Sequence, residues 1–373
     1  MTKESSNING KKILITGGLG YIGSVLSSYL KAAGFSCTVY DTGFFKDCLF
    51  YPASDPQVIM NDMRRFTEEQ LNGIYAVIHL AAISNDPFGN LNSEQIYGPT
   101  RAYAKHIALL CKKRKIKFIF ASSCSVYGKG ADGLMDEESQ VDPQTAYSLN
   151  KLQIENDLKE ISGNGFQPIM LRLATVFGIS PRMRFDIVLN MLTGMAFTTG
   201  KLIINSDGKA WRPLVHLKDV CKAFTCAVVH TADRDAPLVL NVGDTSHNYQ
   251  IIHMISLIKK IHPACEVMFL NNNKKIDQST LEIVKDRKIQ DGVDTRTYKV
   301  SFEKIKQVFK DFRCDWSIEA GIKDLFNQYR RIKLSEQQFK SINFYRLQKI
   351  EYLHVHKLLN DDLYWTGKTR EVY

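Results

Sequence analysis

Residues 11–34, KKILITGGLGYIGSVLSSYLKAAG, constrain this chain most, because they read as a strand, a glycine turn and a helix with nothing spare between them. Ile13, Leu14 and Ile15 form the short apolar run that fills a strand buried on both faces. A helix is expected from Tyr21, where Ile22, Val25, Leu26, Tyr29 and Leu30 fall at helical spacing and Gly34 closes it. Gly17 suits a tight turn, Gly20 a close approach of backbone to a diphosphate, and Gly23 close packing of helix on strand. Phosphates would then meet free N–H groups at the positive helix end. Glycines also punctuate ordinary turns. Here the next strand, Cys37 to Tyr40, ends in Asp41, about 20 residues on, where an acid binds both ribose hydroxyls of NAD and repels the extra phosphate of NADP.

The rest of the first half keeps alternating. Strands are expected at Val58–Met60, Tyr75–Ala82 and Lys117–Ala121, with a turn over Asn85–Asn90 and a helix through His106 to Lys112. That alternation is the pattern of a parallel, doubly wound α/β sheet. Between Asp41 and Pro56 runs a long loop carrying Phe44, Phe45, Phe50 and Tyr51, suited to walling part of a site. A second informative stretch is FIFASSCSVYG, 118–128, followed by PQTAYSLNKLQIE, 143–155. Tyr147 and Lys151 stand four apart on a helix and so share one face. A phenol titrates near about 10 in water; a neighbouring ammonium favours phenolate and lets the tyrosine act as a base. Ser123, at a strand end, could hydrogen-bond the same substrate hydroxyl.

Composition narrows the class. The 373 residues are 44% hydrophobic and 24% charged, ordinary for a globular chain. Eight cysteines show neither paired CxxC spacing nor a histidine partner pattern, so no metal site or disulfide framework is indicated and a reduced, cytoplasmic protein is expected. No apolar run reaches the ~20 residues of a membrane span, and the first ten residues lack the apolar core of a signal peptide. A net charge of +10 fits anionic small-molecule substrates better than nucleic acid, since the basic residues are scattered apart from KKRKIK at 112–117, a helix end.

These residues resemble the extended short-chain dehydrogenase/reductases, specifically the NAD-dependent nucleotide-sugar epimerase/dehydratase group. The resemblance runs from about Lys11 to Tyr329. It rests on TGGLGYIGS, Asp41, Asp62-Met63, HLAA at 79–82, SSCSVYG at 122–128, the Tyr147/Lys151 pair and WRPLVHLKDV at 211–220. It implies a Rossmann-type doubly wound parallel sheet with a smaller α/β substrate domain and a helical C-terminal extension. NAD would be held through Gly17, Gly20, Tyr21, Ile22, Gly23, Asp41, Asp62, Met63, Leu80, Ala81 and Ala82, together with Tyr147 and Lys151. Ser123, Tyr147 and Lys151 would serve proton and hydride transfer. A nucleoside-diphosphate sugar would meet Ser84, Cys124, Ser125, Arg182, Arg184, Arg212 and Arg296. Forked guanidinium donors match phosphate oxygens, with a surface ion pair the alternative for each arginine; His216 is expected to be structural. A homodimer is a further implication of the resemblance.

Dehydratases of the group carry an Asp-Glu pair directly after the catalytic Ser or Thr. Cys124 and Ser125 stand there instead, which disfavours dehydration. The remaining expectation is an epimerase acting by transient oxidation of a sugar hydroxyl, most simply at C4. A keto-sugar reductase or dehydrogenase would use the same residues, and a non-catalytic NAD-binding regulator is the alternative of another class. Cys124 as an acid/base is set against simple packing at the strand end. Gly98-Pro99-Thr100 replaces an asparagine that opens a helix in the group, which puts local helix geometry in question. The expected organisation is a disordered tail (1–10), a cofactor domain (11–178, with a return near 212–245), a substrate domain (179–211 and 246–329) and an extension (330–373) hinged at Tyr329–Arg331. The apolar residues of that extension suggest amphipathic helices that pack on the body, join a second subunit or cover the substrate.

Overall fold

The computed structural model describes residues 10–53, 56–84, 93–204, 206–231, 235–269 and 296–367. The first nine residues and the expected turn at 85–90 lie outside this set. Seven parallel strands form the main sheet, numbered here in chain order: β1 (Lys12–Thr16), β2 (Ser36–Asp41), β3 (Gln57–Met60), β4 (Ile74–His79), β5 (Lys117–Ser123), β6 (Ile169–Leu173) and β7 (Leu238–Val242). Their spatial order is 3-2-1-4-5-6-7. Order reverses between β1 and β4, and the crevice at such a reversal is where open α/β sheets bind ligands.

Ile13, Leu14 and Ile15 are fully buried, as a strand covered on both faces requires. Helix α1 (Gly23–Ala32) starts two residues later than expected, because Ile22 takes the capping position and residues 17–22 are spent on the turn. Helix α2 (Ser93–Lys113) runs straight through Pro99. Proline removes one backbone donor, and next to it Thr100 donates its hydroxyl to the Ile96 carbonyl at 2.9 Å.

A second apolar core lies beside the sheet, built from Phe177, Phe185, Leu189, Met195, Leu214, Ile322, Phe326 and their neighbours. The strand Trp211–His216 belongs to this side, paired with Thr175–Phe177 and Asn248–Gln250, so only β7 of the expected return segment rejoins the main sheet. The expected hinge at Tyr329–Arg331 is corrected outright. These residues lie within the helix Ile318–Ile332, and Tyr329 is fully buried in the second core. The chain turns instead at Lys333, which adopts a left-handed conformation.

After that turn the extension folds back on its own chain. Phe339, Phe344 and Tyr345 enter the second core. The helix Arg346–Val355 and the residues after it bring Ile350, Leu353, Leu359 and Leu363 against Ile96 and Tyr97, with Phe44, Phe45, Ile83 and Tyr147 packed on the same cluster. The aromatic loop after Asp41 thus meets the extension.

Candidate active site

The glycine turn is built by contact, not by flexibility. Gly17 has φ +73°, and a Cβ there would stand 2.6 Å from the Ala81 nitrogen. A Cβ on Gly23 would stand 2.5 Å from the Gly18 Cα. Both glycines are therefore required by close backbone approach, Gly17 against the end of β4 and Gly23 for seating α1. Gly18, which the motif reading passes over, is held as tightly, since its Cβ would meet a Val39 methyl at 2.4 Å. No side chain caps α1 and no acid lies in its first turn, so no negative group competes with an anion at the positive helix end, although the Ser24 and Val25 N–H groups are already taken by the Gly20 and Ile22 carbonyls.

Asp41 is 8% exposed at the end of β2. Its Oδ2 accepts the Leu19 N–H at 3.0 Å and its Oδ1 the Gly43 N–H at 2.8 Å. Burial lifts its pKa above the ordinary carboxylate value, working against those two amides. Each oxygen keeps a further acceptor position, which fits a pair of vicinal hydroxyls. Across the reversal, Leu80 donates its N–H to Thr16, and the Ala81 carbonyl accepts from Tyr103. Ala81 and Ala82 thus offer a smooth wall. Asp62 is engaged by a bidentate ion pair with Arg64 at 2.6 and 2.7 Å, and Met63 is buried in the core behind it. A positive helix end, free acceptor positions and small side chains suit a dinucleotide.

Helix α3 (Ala146–Glu160) carries the Tyr147/Lys151 pair. Thr145 and Ser148 cap it reciprocally, and Asn150 ties it to α2 through the Tyr97 carbonyl at 3.0 Å. Lys151 is 4% exposed. Its Nζ donates to the Ala121 carbonyl of β5 at 2.7 Å and lies 5.8 Å from the centre of the Tyr147 ring. Burial, only partly offset by Glu155, pulls the Lys151 pKa down to about 7. The native protein therefore binds fewer protons than the unfolded chain between pH 7 and the ordinary lysine value of 10.5, and this group's penalty fades as pH rises through that window. Lys151→Met is accordingly expected to raise the unfolding free energy at pH 7 by about 2 kcal/mol, with the gain shrinking towards pH 10. Denaturant melts across that range check it.

Ser123, at the end of β5, accepts the Ser125 N–H at 3.2 Å. Ser125 itself is buried, and its hydroxyl has no hydrogen-bond partner among the described residues. Cys124 behaves differently. It is 1% exposed, its thiol donates to the Arg172 carbonyl at 3.2 Å, and burial raises its pKa well above the ordinary thiol value. It packs behind the strand end instead of facing the cleft.

None of the four candidate arginines is an exposed surface residue: Arg182 and Arg212 are buried, and Arg184 and Arg296 are half-buried. Arg182 is 1% exposed and donates to the Phe45 and Lys46 carbonyls. Arg184 forms a bidentate pair with Asp186 at 2.8 and 2.9 Å and donates to Ser84 at 2.5 Å. Burial opposes its charge, but Asp186 more than offsets that, and the pKa stays above the ordinary arginine value. Arg212, 7% exposed, donates to the Arg296 carbonyl, so the two arginines expected at a phosphate are neighbours. His216 is buried and stacked 4.2 Å from Trp316, and burial pulls its pKa down to about 3, as befits a neutral structural imidazole.

The family model for NAD dependent epimerase/dehydratase proteins matches residues 13–243, more than half of the chain and every element just described up to β7. The chain belongs to this family. NAD is its cofactor. The UDP-glucose 4-epimerase of Corynebacterium glutamicum is 25% identical over 68% of this chain and 81% of its own length. A UDP-N-acetyl-alpha-D-glucosaminuronate decarboxylase of Bacillus cytotoxicus is 23% identical over 82% of this chain and 99% of its own. Among solved structures, UDP-glucuronic acid 4-epimerase from Bacillus cereus, in complex with UDP-glucuronic acid and NAD, superposes with a TM-score of 0.68 at 23% identity, over 86% of this chain and 99% of that one. No helix among the described residues of this family member is long and apolar enough to cross a membrane.

Residues of the extension also reach the site, which motif reading did not reveal. Trp365 donates its indole N–H to the Thr42 carbonyl at 2.6 Å, one residue beyond Asp41. Arg64, paired with Asp62, donates to the Asp362 and Leu363 carbonyls and stacks 3.2 Å from the centre of the Tyr364 ring. Nothing in the local pattern of the extension marks these contacts, because they join positions about three hundred residues apart.

Proposed function

We propose that this protein is an NAD-dependent nucleotide-sugar epimerase that oxidises a sugar hydroxyl transiently, most simply at C4, and restores it from the other face. The observation that carries this reading is the end of β5. After Ser123 the chain offers Cys124 and Ser125, and the thiol is sealed against Arg172 with its pKa raised by burial. Expelling water from a sugar needs its own acid and base, and no carboxyl pair stands there. Proton traffic is left to Tyr147.

In this reading bound NAD would supply a hydride acceptor, and in its reduced form the hydride donor, for the sugar carbon. Tyr147 takes the hydroxyl proton and later returns it. Lys151, pinned to Ala121, sets its amine beside the phenol and, in the protonated form that dominates below about pH 7, favours the ionised phenol. Ser123 holds the same hydroxyl in line. Arg212 and Arg296 bind the diphosphate of the substrate, and Ser84 and Ser125 face its sugar. The names of the Corynebacterium and Bacillus cereus relatives support a nucleoside-diphosphate sugar as substrate and C4 as the reacting carbon.

The test is to purify the protein without added cofactor, denature it and identify the released nucleotide, then assay UDP-sugars for isomerisation with no NAD(P)H supplied. Stoichiometric NAD and cofactor-free isomerisation are expected. An empty protein that prefers NADPH and reduces a keto-sugar in proportion to it would replace the epimerase reading with the reductase one.

A further inference from the structure

Ser123 stands between two residues that one buried ion pair holds. Ser122, just before it, is 2% exposed and donates its hydroxyl to Glu155 Oε1 of α3 at 2.5 Å. Ser122 lies beside Arg172 across the ladder between β5 and β6, and Arg172 grips the same carboxylate through Nε at 2.9 Å and Nη2 at 2.7 Å. On the other side of Ser123, Tyr127 ends the short helical turn Cys124–Tyr127, and its hydroxyl accepts from Arg172 Nη1 at 2.9 Å. The Ser123 hydroxyl is itself oriented from within that turn by the Ser125 N–H.

Helix α3, which carries Tyr147 and Lys151, is tied to the same strand end twice. Lys151 donates to the Ala121 carbonyl, and Glu155, one turn further along, receives the hydroxyl of the next residue, Ser122. Successive residues of β5 are thus bonded to successive turns of α3, so sliding or tilting the helix against the strand breaks one bond or the other. Glu155 also partly offsets the burial that pulls the Lys151 pKa down. Apolar side chains of similar volume often match such a buried pair in stability; what directed hydrogen bonds add is register. That register decides how Ser123, the residue after the two anchored ones, stands to Tyr147, one turn before Lys151. A hydroxyl shared by both side chains must lie about 2.6–3.2 Å from each, and a misplacement of about 1 Å costs up to about a hundredfold in rate.

We propose that Ser122 and Glu155 are positioning residues, whose hydrogen bond sets Ser123 in register with Tyr147 so that both reach one substrate hydroxyl. The inference deepens the reading above and rests on Ser123 and Tyr147 acting together there.

The test is a turnover cycle on the full-length protein with its bound nucleotide, comparing Ser122→Ala, Ser123→Ala and the double variant on whichever UDP-sugar the parent isomerises or reduces. Ser122→Ala removes one hydroxyl and leaves the Arg172–Glu155 pair in place. In it kcat is expected to fall about ten- to hundredfold with KM within about twofold of the parent. Added to Ser123→Ala, the same substitution should cost nothing further, because it acts through Ser123. Ser122→Thr, which keeps the hydroxyl, should return most of the lost rate, and the nucleotide released on denaturation should be the same in every variant. A parent-like kcat in Ser122→Ala beside a loss in Ser123→Ala would overturn the positioning role and leave the catalytic reading standing. So would an equal loss from Ser122→Ala in both backgrounds, a Ser122→Thr as slow as Ser122→Ala, or a loss of bound nucleotide that accounts for the lost rate. A parent-like rate in Ser123→Ala would instead remove Ser123 from the mechanism, and the positioning role with it.

Discussion

Tyr147→Phe is expected to lower turnover about a thousandfold while NAD stays bound, because the substitution removes one oxygen and leaves α3 in place. A positioned acid/base contributes about a hundred- to ten-thousandfold. The tyrosine ring also packs with Ala146 on the cluster that holds the extension, and phenylalanine keeps that packing. The measurement is steady-state turnover of a UDP-sugar beside quantitation of the nucleotide released on denaturation. A variant that kept its rate would remove the phenol from the mechanism and favour a binding role for the protein. One that lost NAD along with activity would show that the hydroxyl holds the cofactor and does not move the proton.

The largest stability effect is expected behind the site. Arg172 on β6 forms an ion pair with Glu155 of α3, with contacts of 2.9 and 2.7 Å and side chains 3% and 0% exposed. Its remaining nitrogen donates to the Tyr127 hydroxyl at 2.9 Å, and that hydroxyl donates in turn to Asn241 of β7. Glu155 also accepts from Ser122 at 2.5 Å, next to Ser123. Arg172→Met leaves Glu155 charged, buried and without its cation, which costs about 3–5 kcal/mol. Pairing it with Glu155→Gln should restore part of the loss, a coupling that a double-mutant cycle by denaturant unfolding reads directly. Simple addition of the two single losses would show that the network is not a unit.

The ion pair also shows where sequence reading stops. Arg172 and Glu155 sit on a strand and a helix with no shared motif, and only the crossing of α3 over β5 and β6 brings them together. The motifs themselves were legible because each is a local device. Strand, glycine turn and helix must be consecutive to cradle a phosphate, and Tyr147 and Lys151 share a face because the helix repeats every 3.6 residues. The substrate-side arginines were visible as residues but not as surroundings. The alternative of surface ion pairs fails for Arg182, because the 43–50 loop wraps it and supplies its carbonyl acceptors.

The extension marks the same boundary from the other side. Its amphipathic spacing announced helices, yet periodicity says which face is apolar and not what lies against it. The long aromatic loop after Asp41 was legible as a candidate wall, but its partner, Trp365, stands more than three hundred residues away along the chain. By itself, then, the sequence determined the parallel α/β sheet, the NAD turn with its acid, and the tyrosine–lysine pair, because short-range geometry suffices for each. Only the tertiary structure decided that Cys124 is buried behind the strand end, that Arg182 and Arg212 are buried and that the extension packs on the loop after Asp41, because burial arises from distant segments meeting.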